Sequence, residues 1–292
     1  MECLLFGRWL CWAYWSIAIF SCLLSCVSSY AETLSRYGKI SQPMGDAERG
    51  SFASKLANMT VSKAWFLHFY VIAVVWSAVL IVLGLFEVDI VGRIIGDVVG
   101  SSGLQLCSHE KRVLGSHTVI MLLVFFIHAC RRLYESICIT KFSSKARMHI
   151  AGYIVGATFY LAVGWSIVVE PRIMSSRMSV LQTVIAGILF VVGSYQQHKS
   201  HKILSDLRQG KTRAYSIPRM GWFEYVSSPH YLSEILIYAS ILVQNTQSIS
   251  LLLMFTFVVF NLSITAARTH AWYKQKFDDY PKERTRMIPF LF

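Results

Sequence analysis

Apolar segments of about 20 residues recur along this chain and restrict what it can fold into. A helix rises about 1.5 Å per residue, so a segment of this length spans the roughly 30 Å hydrocarbon core of a bilayer. With 54% hydrophobic residues, the chain is also more apolar than an ordinary soluble domain. The windows lie at about 4–28, 65–86, 116–137, 149–169, 178–195, 231–244 and 249–267. We therefore predict an all-α, polytopic membrane protein, a seven-transmembrane-helix bundle whose sixth helix is short.

Lysine and arginine alternate between dense and sparse loops along the chain. The dense loops, with five, three, six and six basic residues, are 36–63, 138–148, 197–230 and 268–292. The sparse loops 87–114 and 170–177 hold three and two. This alternation predicts seven helices with the C-terminus in the cytosol, by the positive-inside bias. The net charge of +12 then reflects mainly topology, and we expect no nucleic-acid binding, because no basic helix or finger lies outside the membrane frame.

The seven cysteines indicate neither a metal centre nor a disulfide framework. Most of them lie inside apolar windows, where free cysteine behaves as a small hydrophobe. The sequence contains no C-x-x-C pair and no Cys/His cluster at zinc spacing. We predict no metal site and treat residues 1–292 as one membrane-embedded domain. The sequence leaves the oligomeric state open.

Ionisable residues inside the third window form the first candidate site. In the segment FFIHACRRLYES, His128, Arg132 and Glu135 follow at i, i+4 and i+7 and share one helix face. Arg131 and Glu135 form a further i,i+4 pair. Arginines near a helix end can also snorkel to the interface, an explanation that suits Arg131. Because ionisable groups at membrane depth are costly, a face of His, Arg and Glu favours a functional polar cavity.

A second candidate region, residues 194–234, runs from a span end through a basic loop into the next apolar segment. Its Gln196, His198, Arg208 and Tyr215 place hydrogen-bonding groups among lysines and arginines. These groups suit an anionic cofactor, because charge-assisted hydrogen bonds hold phosphates strongly. The same basic residues could equally serve as a topology signal alone.

Within this region, Pro229 predicts the start of a helix, with Ser227 and Ser228 as caps before it. His230 and Glu234 then lie one turn apart at a helix N-terminus. Anions and developing negative charge are stabilised at that position. A simple capping cluster would leave the same pattern.

The C-terminal segment WYKQKFDDYPKERTRMIPFLF interleaves aromatic, acidic and basic side chains directly after a span. Tyr273, Phe277 and Tyr280 recur at helical intervals, which predicts a helix that Pro281 breaks. A solvated helix face explains the charges but not the aromatic residues. No phosphate-binding loop, G-x-G-x-x-G motif or H-E-x-x-H motif occurs. A nucleotide that binds here would therefore bind between helices.

Together these motifs carry a family resemblance. YKQKFDDYPKERTRMIPF closely resembles the C-terminal signature of the steroid 5α-reductase family of membrane NADPH-dependent reductases. SSPHYLSEI is similar to that family's proline–Asn/His–aromatic–Leu–x–Glu segment, and the likeness extends through HKSHKILSDLR and AYSIP back to AWFLHFY and HACRRLYES. The resemblance implies a seven-helix bundle of the steroid 5α-reductase type. Its N-terminal helices would cover about 1–137, and about 138–292 would bind NADPH on the cytosolic side.

The resemblance also implies which residues serve the reaction. The positions that match the family's NADPH-contacting pocket are Arg132, Gln196, Arg208, Tyr215, His230, Glu234, Tyr273 and Arg284. His230 is an asparagine in many steroid-reducing members, and either side chain can bond a carboxamide. The resemblance leaves the group that activates the carbonyl unassigned, and our hypothesis is that His128, Tyr134, Glu135 or His230 supplies the hydrogen-bond donor or the proton.

Within the family, RYGKI, WFLHFY and RRLYES are similar to the polyprenol (polyprenal) reductase branch. Steroid-reducing members carry a glutamate at the position of Phe69 and a tyrosine at that of Ala129, the two residues that hold the steroid ketone. Their absence argues against a 3-oxo-Δ4 steroid as the main substrate. The implied reaction is NADPH-dependent reduction of the α-isoprene double bond of a long-chain polyprenol or polyprenal. Its product would be dolichol or dolichal, made in the endoplasmic reticulum membrane for protein N-glycosylation.

Chemistry favours the aldehyde as the immediate substrate. Hydride addition to an allylic alcohol leaves a negative charge that the molecule cannot delocalise. An α,β-unsaturated aldehyde carries that charge on oxygen as an enolate, which a preorganised donor can stabilise.

Three alternative functions stay open at this point. One is steroid 5α-reduction. Another is an isoprenylcysteine-type methyltransferase, whose RHPxY motif would match SSPHY here without its Arg-His pair. The third, a receptor or transporter, predicts glycosylated extracellular loops, yet the sequons at Asn58 and Asn261 lie on the predicted cytosolic side and within a span.

Overall fold

The computed structural model describes residues 2–27, 59–86, 114–141, 146–170, 180–208 and 216–292. Seven α-helices lie within these ranges, each at one of the predicted apolar windows. They are α1 (Glu2–Val27), α2 (Phe66–Leu85), α3 (Ser116–Tyr134), α4 (Ile150–Val169), α5 (Val180–Leu207), α6 (Pro229–Gln244) and α7 (Ile249–Lys276).

Five of these helices are long and apolar enough to cross a membrane: α1, α2, α4, α5 and α7. The chain is thus a multi-pass membrane protein, as the sequence predicts. The other two helices, α3 and α6, carry the ionisable residues singled out above, which lowers their hydropathy. At 16 residues α6 is also shorter than the roughly 20 residues that a full crossing needs. The number of membrane crossings stays a prediction.

The helix predicted through Tyr280 ends earlier, at Lys276, because Phe277 takes extended backbone angles (φ −133°, ψ 117°). The reason is the proline. In a helix, the ring of Pro281 would clash with the carbonyl of residue 277, four positions before it, and would leave that carbonyl without a donor. The prediction of a helix up to Pro281 was therefore wrong in its last turn.

A two-stranded antiparallel ribbon departs from the purely helical prediction. β1 (Thr60–Ser62) pairs with β2 (Arg147–His149), with Thr60 opposite His149 and Ser62 opposite Arg147. The strands directly precede the first turn before α2 and the start of α4. Their backbone hydrogen bonds therefore hold these two helix starts side by side at one end of the bundle.

The bundle packs α5 against α6, α2 against α3 and α4, and α1 against α7. α5 and α6 come into tight contact at Gly193 of α5. A Cβ added there would come within 2.9 Å of both the Ser233 carbonyl oxygen and Ile237 Cγ1 of α6. Only a residue without a side chain permits this contact. Gly193 therefore sets the spacing of the two helices that carry much of the site described below.

We expect Gly193→Ala to lower the free energy of unfolding by about 1–3 kcal/mol, because overpacking pushes α5 and α6 apart. This loss exceeds the gain of at most about 1 kcal/mol that alanine has over glycine within a helix. The matched control is Gly187→Ala on the same helix, where an added Cβ meets nothing within 4 Å. Thermal unfolding in detergent should show a lower Tm for the first variant and an equal or higher Tm for the second. Equal behaviour of the two variants would contradict the tight contact.

Glu170 closes the other end of the bundle, directly after α4. Its carboxylate accepts hydrogen bonds from Trp12 Nε1 at 2.6 Å and from the hydroxyls of Ser248 and Ser250, both at 2.8 Å. Burial alone would raise the pKa of Glu170, but the hydrogen bonds from Ser250, Ser248 and Trp12 hold it below its ordinary value. The charged carboxylate thus ties α1, α4 and the start of α7 together, far from the candidate site.

Candidate active site

Glu135 lies at the centre of a polar cluster between α3 and α5, and its side chain is fully buried. Arg131 and Arg132 donate to its two oxygens from Nη1 at 2.5 and 2.7 Å. From α5, the Nδ1 atoms of His198 and His201 lie 3.0 and 2.7 Å from the same oxygens. A carboxylate in an apolar bundle is stable only with such compensation. Glu135 therefore holds two guanidinium groups and two imidazoles in fixed positions.

The backbone changes its winding at Glu135. The segment Glu135–Ile139 forms a π-helical turn, closed by the Thr140 N–H donating to the Glu135 carbonyl at 2.7 Å. The Ser205 hydroxyl of α5 donates to the Ile139 carbonyl at 2.5 Å and satisfies one of the groups at the end of this turn. Single π-turns of this kind occur often at functional sites. Here the turn keeps Glu135 directed at α5.

A second carboxylate, Glu234 of α6, connects this cluster to the third helix of the site. Its Oε1 lies 3.3 Å from His128 Nε2, and Gln197 Nε2 donates to its Oε2. Arg131 Nη2 donates to Gln197 Oε1 and lies 3.2 Å from His128 Nδ1. A continuous set of contacts thus runs from Glu135 through Arg131 and Gln197 to Glu234 and His128.

Three buried tyrosines surround the apolar side of the cluster. Arg132 Nη2 donates to the Tyr70 hydroxyl at 2.5 Å, and the Tyr160 ring lies edge-on to that of Tyr70 at 5.7 Å. The Tyr238 ring lies edge-on to His128 with 5.9 Å between centroids. The charged groups therefore border a buried aromatic region.

The C-terminal segment is docked on the loop before α6. The Ser227 hydroxyl lies 2.6 Å from His270 Nδ1 and 2.7 Å from the Tyr280 hydroxyl. Backbone hydrogen bonds join Thr285 to both Tyr225 and Ser227, at 3.0 and 2.9 Å. The tail is thus fixed against the loop that leads into α6.

Arg284 is the buried cation of this tail, only 2% exposed. Its Nη1 donates to the Pro218 carbonyl at 3.0 Å, and its guanidinium carbon lies 5.2 Å from the centroid of the Tyr280 ring. Glu224 is 3.9 Å away, at the limit of an ion pair. Arg284 Nε and Nη2 have no hydrogen-bond partner among the residues that the structure describes.

Unsatisfied donors and exposed cations gather at this end of the bundle. The buried Ser228 hydroxyl also lacks a hydrogen-bond partner within the described parts of the chain. The exposed Lys199 of α5 lies beside Gly221, where an added Cβ would meet its Cε at 3.5 Å. Buried donors without acceptors are rare, and such donors can bind the acceptor oxygens of a ligand. The arrangement suits an anionic ligand that offers several acceptor oxygens.

Comparison with known proteins identifies the family of the chain. Residues 144–292 match the family model described as 3-oxo-5-alpha-steroid 4-dehydrogenase. The chain belongs to this family. It is 34% identical to polyprenal reductase 1 of Oryza sativa subsp. indica, over 87% of this chain and 86% of the rice protein. It is also 30% identical to the polyprenal reductase of Homo sapiens, over 89% of this chain and 86% of the human protein.

For this member of the 3-oxo-5-alpha-steroid 4-dehydrogenase family, the structure brings together five of the site residues picked from the sequence. They are His128, Arg132, Glu135, His230 and Glu234. His230 joins the cluster through His201, with 5.8 Å between the two ring centroids. The predicted helix face in α3 and the predicted helix start at Pro229 are both confirmed. Ser228 is the residue before that helix, although its side chain makes no capping hydrogen bond.

The other picked residues lie outside this cluster. Tyr134 is 54% exposed, and Gln196 is partly exposed next to the buried Gln197. Arg208 donates to the Lys141 carbonyl at 2.8 Å, and Tyr273 stacks on Tyr280 at 5.4 Å within the docked tail. Tyr215 lies outside the described residues. Their contact with a cofactor stays a prediction.

Sequence reasoning missed Gln197, His201 and Tyr70. The first two carry a signal in the sequence, since Gly193, Gln197 and His201 follow at i, i+4 and i+8 and share one face of α5. Tyr70 follows Phe69 in a mainly apolar window and gives no such signal. Among the described residues, no group of three or more His, Cys, Asp or Glu side chains is placed to hold a metal ion.

The two positions that differ from steroid-reducing members are filled by apolar packing. Phe69 is buried, and its ring lies so close to Gly156 that a Cβ there would come within 2.6 Å. It also packs against Tyr153, with 5.4 Å between ring centroids. Ala129 is fully buried in α3. Neither side chain can donate a hydrogen bond to a ketone.

Proposed function

We propose that this protein is an NADPH-dependent reductase of a long-chain polyprenal, and that it saturates the α-isoprene double bond to give the dolichol-type aldehyde. The observation that carries this proposal is an acid–base cluster around the fully buried Glu135, formed with the partly buried Arg131, Arg132 and Glu234, inside a bundle whose helices expose large apolar residues. The rice and human polyprenal reductases support the substrate class, since the alignments cover most of each chain.

The donors at the tail end of the site fit NADPH. Arg284 and Ser228 present buried donor atoms that lack acceptors within the described part of the chain, and Lys199 adds an exposed positive charge nearby. When bound, NADPH would supply a hydride, that is one hydrogen nucleus with two electrons. Its proposed contacts are Arg132, Gln196, Arg208, Tyr215, His230, Glu234, Tyr273 and Arg284. Glu234 and His230, at the start of α6, would face the carboxamide end.

In an α,β-unsaturated aldehyde, the negative charge that hydride addition creates can move to the carbonyl oxygen. Hydride adds to carbon 3 of the enal, the carbon 2–carbon 3 double bond breaks, and its electron pair reaches the oxygen as an enolate. One proton then goes to carbon 2 and restores the carbonyl, so the balance is one hydride and one proton per double bond. The protein's contribution is orientation and electrostatics.

Of the four candidate donors, His128 has the best placed proton. Its ring is almost fully buried, and Nε2 faces the Glu234 carboxylate at 3.3 Å, which can orient the ring and stabilise its protonated form. Glu135 accepts from two arginines and so acts as a positioning residue. Tyr134 points outward, and His230 lies nearer the tail. We therefore assign the proton at carbon 2 to His128.

The proposed orientation in the membrane determines how the cofactor and the lipid substrate would reach the site. With the C-terminus cytosolic in the endoplasmic reticulum membrane, the tail and its arginines would meet NADPH from the cytosol. The apolar isoprenoid chain would leave between helices into the lipid, because the outer helix faces expose large apolar residues such as Ile17, Val75 and Val191.

Purified protein in detergent or liposomes tests the proposal. With NADPH it should reduce polyprenal, and without an added dehydrogenase it should leave polyprenol unchanged. NADPH should raise Tm, and S-adenosylmethionine should not. Reduction of free polyprenol would overturn the aldehyde preference. Efficient reduction of a 3-oxo-Δ4 steroid, or stabilisation by S-adenosylmethionine alone, would favour the steroid reductase or the methyltransferase.

A further inference from the structure

Tyr238 of α6 carries a buried hydroxyl group that lacks a hydrogen-bond partner among the described residues. The side chain is only 1% exposed. A buried hydroxyl without a partner costs roughly 1–3 kcal/mol relative to one that is satisfied. Phenylalanine would fill the same space without this cost. The fold alone therefore gives no reason for the hydroxyl.

The surroundings of Tyr238 are those of the proposed reaction. It follows Glu234 by four residues and so lies on the same face of α6, one turn deeper. Its ring is edge-on to His128 at 5.9 Å and to Phe159 at 5.8 Å. Tyr238 thus joins the acid–base cluster to the apolar side of the bundle.

The hydroxyl of the neighbouring Tyr70 already has a hydrogen-bond partner. Arg132 donates to the Tyr70 hydroxyl at 2.5 Å, so that oxygen serves to hold the guanidinium. Among the tyrosines near His128, Tyr238 is the one whose hydroxyl has no partner in the described parts of the chain. Its hydrogen is therefore available to a ligand.

We propose that the Tyr238 hydroxyl donates a hydrogen bond to the carbonyl oxygen of the isoprenoid aldehyde. This inference rests on the proposed function and names the group that stabilises the enolate. As hydride adds to carbon 3, negative charge develops on that oxygen, and a fixed donor lowers the energy of the transition state. The tyrosine keeps its proton throughout. The proton for carbon 2 comes separately, from His128, so hydride and proton still balance.

The test compares Tyr238→Phe with the wild type, using NADPH and farnesal, a short α,β-unsaturated isoprenoid aldehyde. We expect kcat to fall about 100-fold, the effect of removing one donor to a developing oxyanion. Tm should stay equal or rise, because the lost hydroxyl had no partner. The rise in Tm that NADPH causes should also be unchanged, since the substitution leaves the tail end of the site intact.

Tyr14→Phe is the matched control. The Tyr14 hydroxyl lies 3.0 Å from Thr158 Oγ1, in contact between α1 and α4 and away from the cluster. The same chemical change there should lower Tm slightly and leave kcat unaltered. We thus expect Tyr238→Phe to lower kcat without lowering Tm, and Tyr14→Phe to lower Tm without lowering kcat.

Each outcome decides the inference. A kcat for Tyr238→Phe close to that of the wild type overturns it. So does a fall in Tm like that of Tyr14→Phe, because the hydroxyl would then bond Glu234 and have a structural role. If wild-type protein reduces neither farnesal nor polyprenal with NADPH, the proposed function itself fails, and the inference fails with it.

Discussion

Replacing Glu135 by glutamine should lower the free energy of unfolding by about 3–5 kcal/mol, the usual result of removing one partner from a buried ion pair. The carboxylate is fully buried and compensates Arg131 and Arg132 at 2.5 and 2.7 Å. Glutamine has nearly the same shape but no charge, so both guanidinium groups lose their counterion in an apolar environment. We therefore expect little folded protein at 37 °C, and the thermal unfolding curve in detergent measures the loss.

Glu283→Gln is the control for this substitution. It makes the same chemical change at an exposed position of the tail, where charges contribute roughly 0–1 kcal/mol. Its Tm should match that of the wild type. Glu135→Asp adds a second test, because it keeps the charge and should recover part of the stability. If Glu135→Gln were as stable as Glu283→Gln, the four contacts of Glu135 would carry no energy and its positioning role would be wrong.

The positions of the helices could be predicted from hydrophobicity, because the apolar windows end close to the observed helices. The exceptions are instructive. α5 continues to Leu207 and α7 to Lys276, well past their apolar windows, because polar residues also form helix when a neighbouring element covers one face. The π-turn at Glu135 leaves no periodic signal. The ribbon between β1 and β2 depends on strands of three residues, too short to read from a pattern.

The site could be predicted only where its residues share one helix. The face of His128, Arg132 and Glu135 follows directly from i, i+4 and i+7 spacing. Gln197 was missed in favour of Gln196, because the choice depends on which face of α5 meets α6. The contact at Gly193 decides that rotation, and a single sequence does not show which helices approach each other.

The second large expected effect concerns the affinity for NADPH and comes from Arg284 in the C-terminal tail. Arg284→Ala should raise the KM for NADPH roughly 10- to 100-fold, the equivalent of about 1.5–3 kcal/mol for hydrogen bonds to a charged group. The Nη1 group of the buried guanidinium donates to the Pro218 carbonyl, whereas Nε and Nη2 have no hydrogen-bond partner among the described residues. These two donors are placed to hold a phosphate in parallel, as the fork of arginine does. Tm without cofactor should also fall, since the Pro218 carbonyl loses its donor.

Arg286→Ala is the matched control, because it removes the same charge two residues away. Arg286 is exposed, and its guanidinium carbon lies 4.8 Å from the Phe292 ring centroid. If the tail binds NADPH only through its overall positive charge, both variants will raise KM equally, and the effect will shrink in high salt. If Arg284 binds a phosphate directly, its variant alone will lose the thermal stabilisation by NADPH, and Arg284→Lys will restore only part of it. A lower Tm with unchanged KM would make Arg284 a structural residue that anchors the tail, and would reject its role as a cofactor contact.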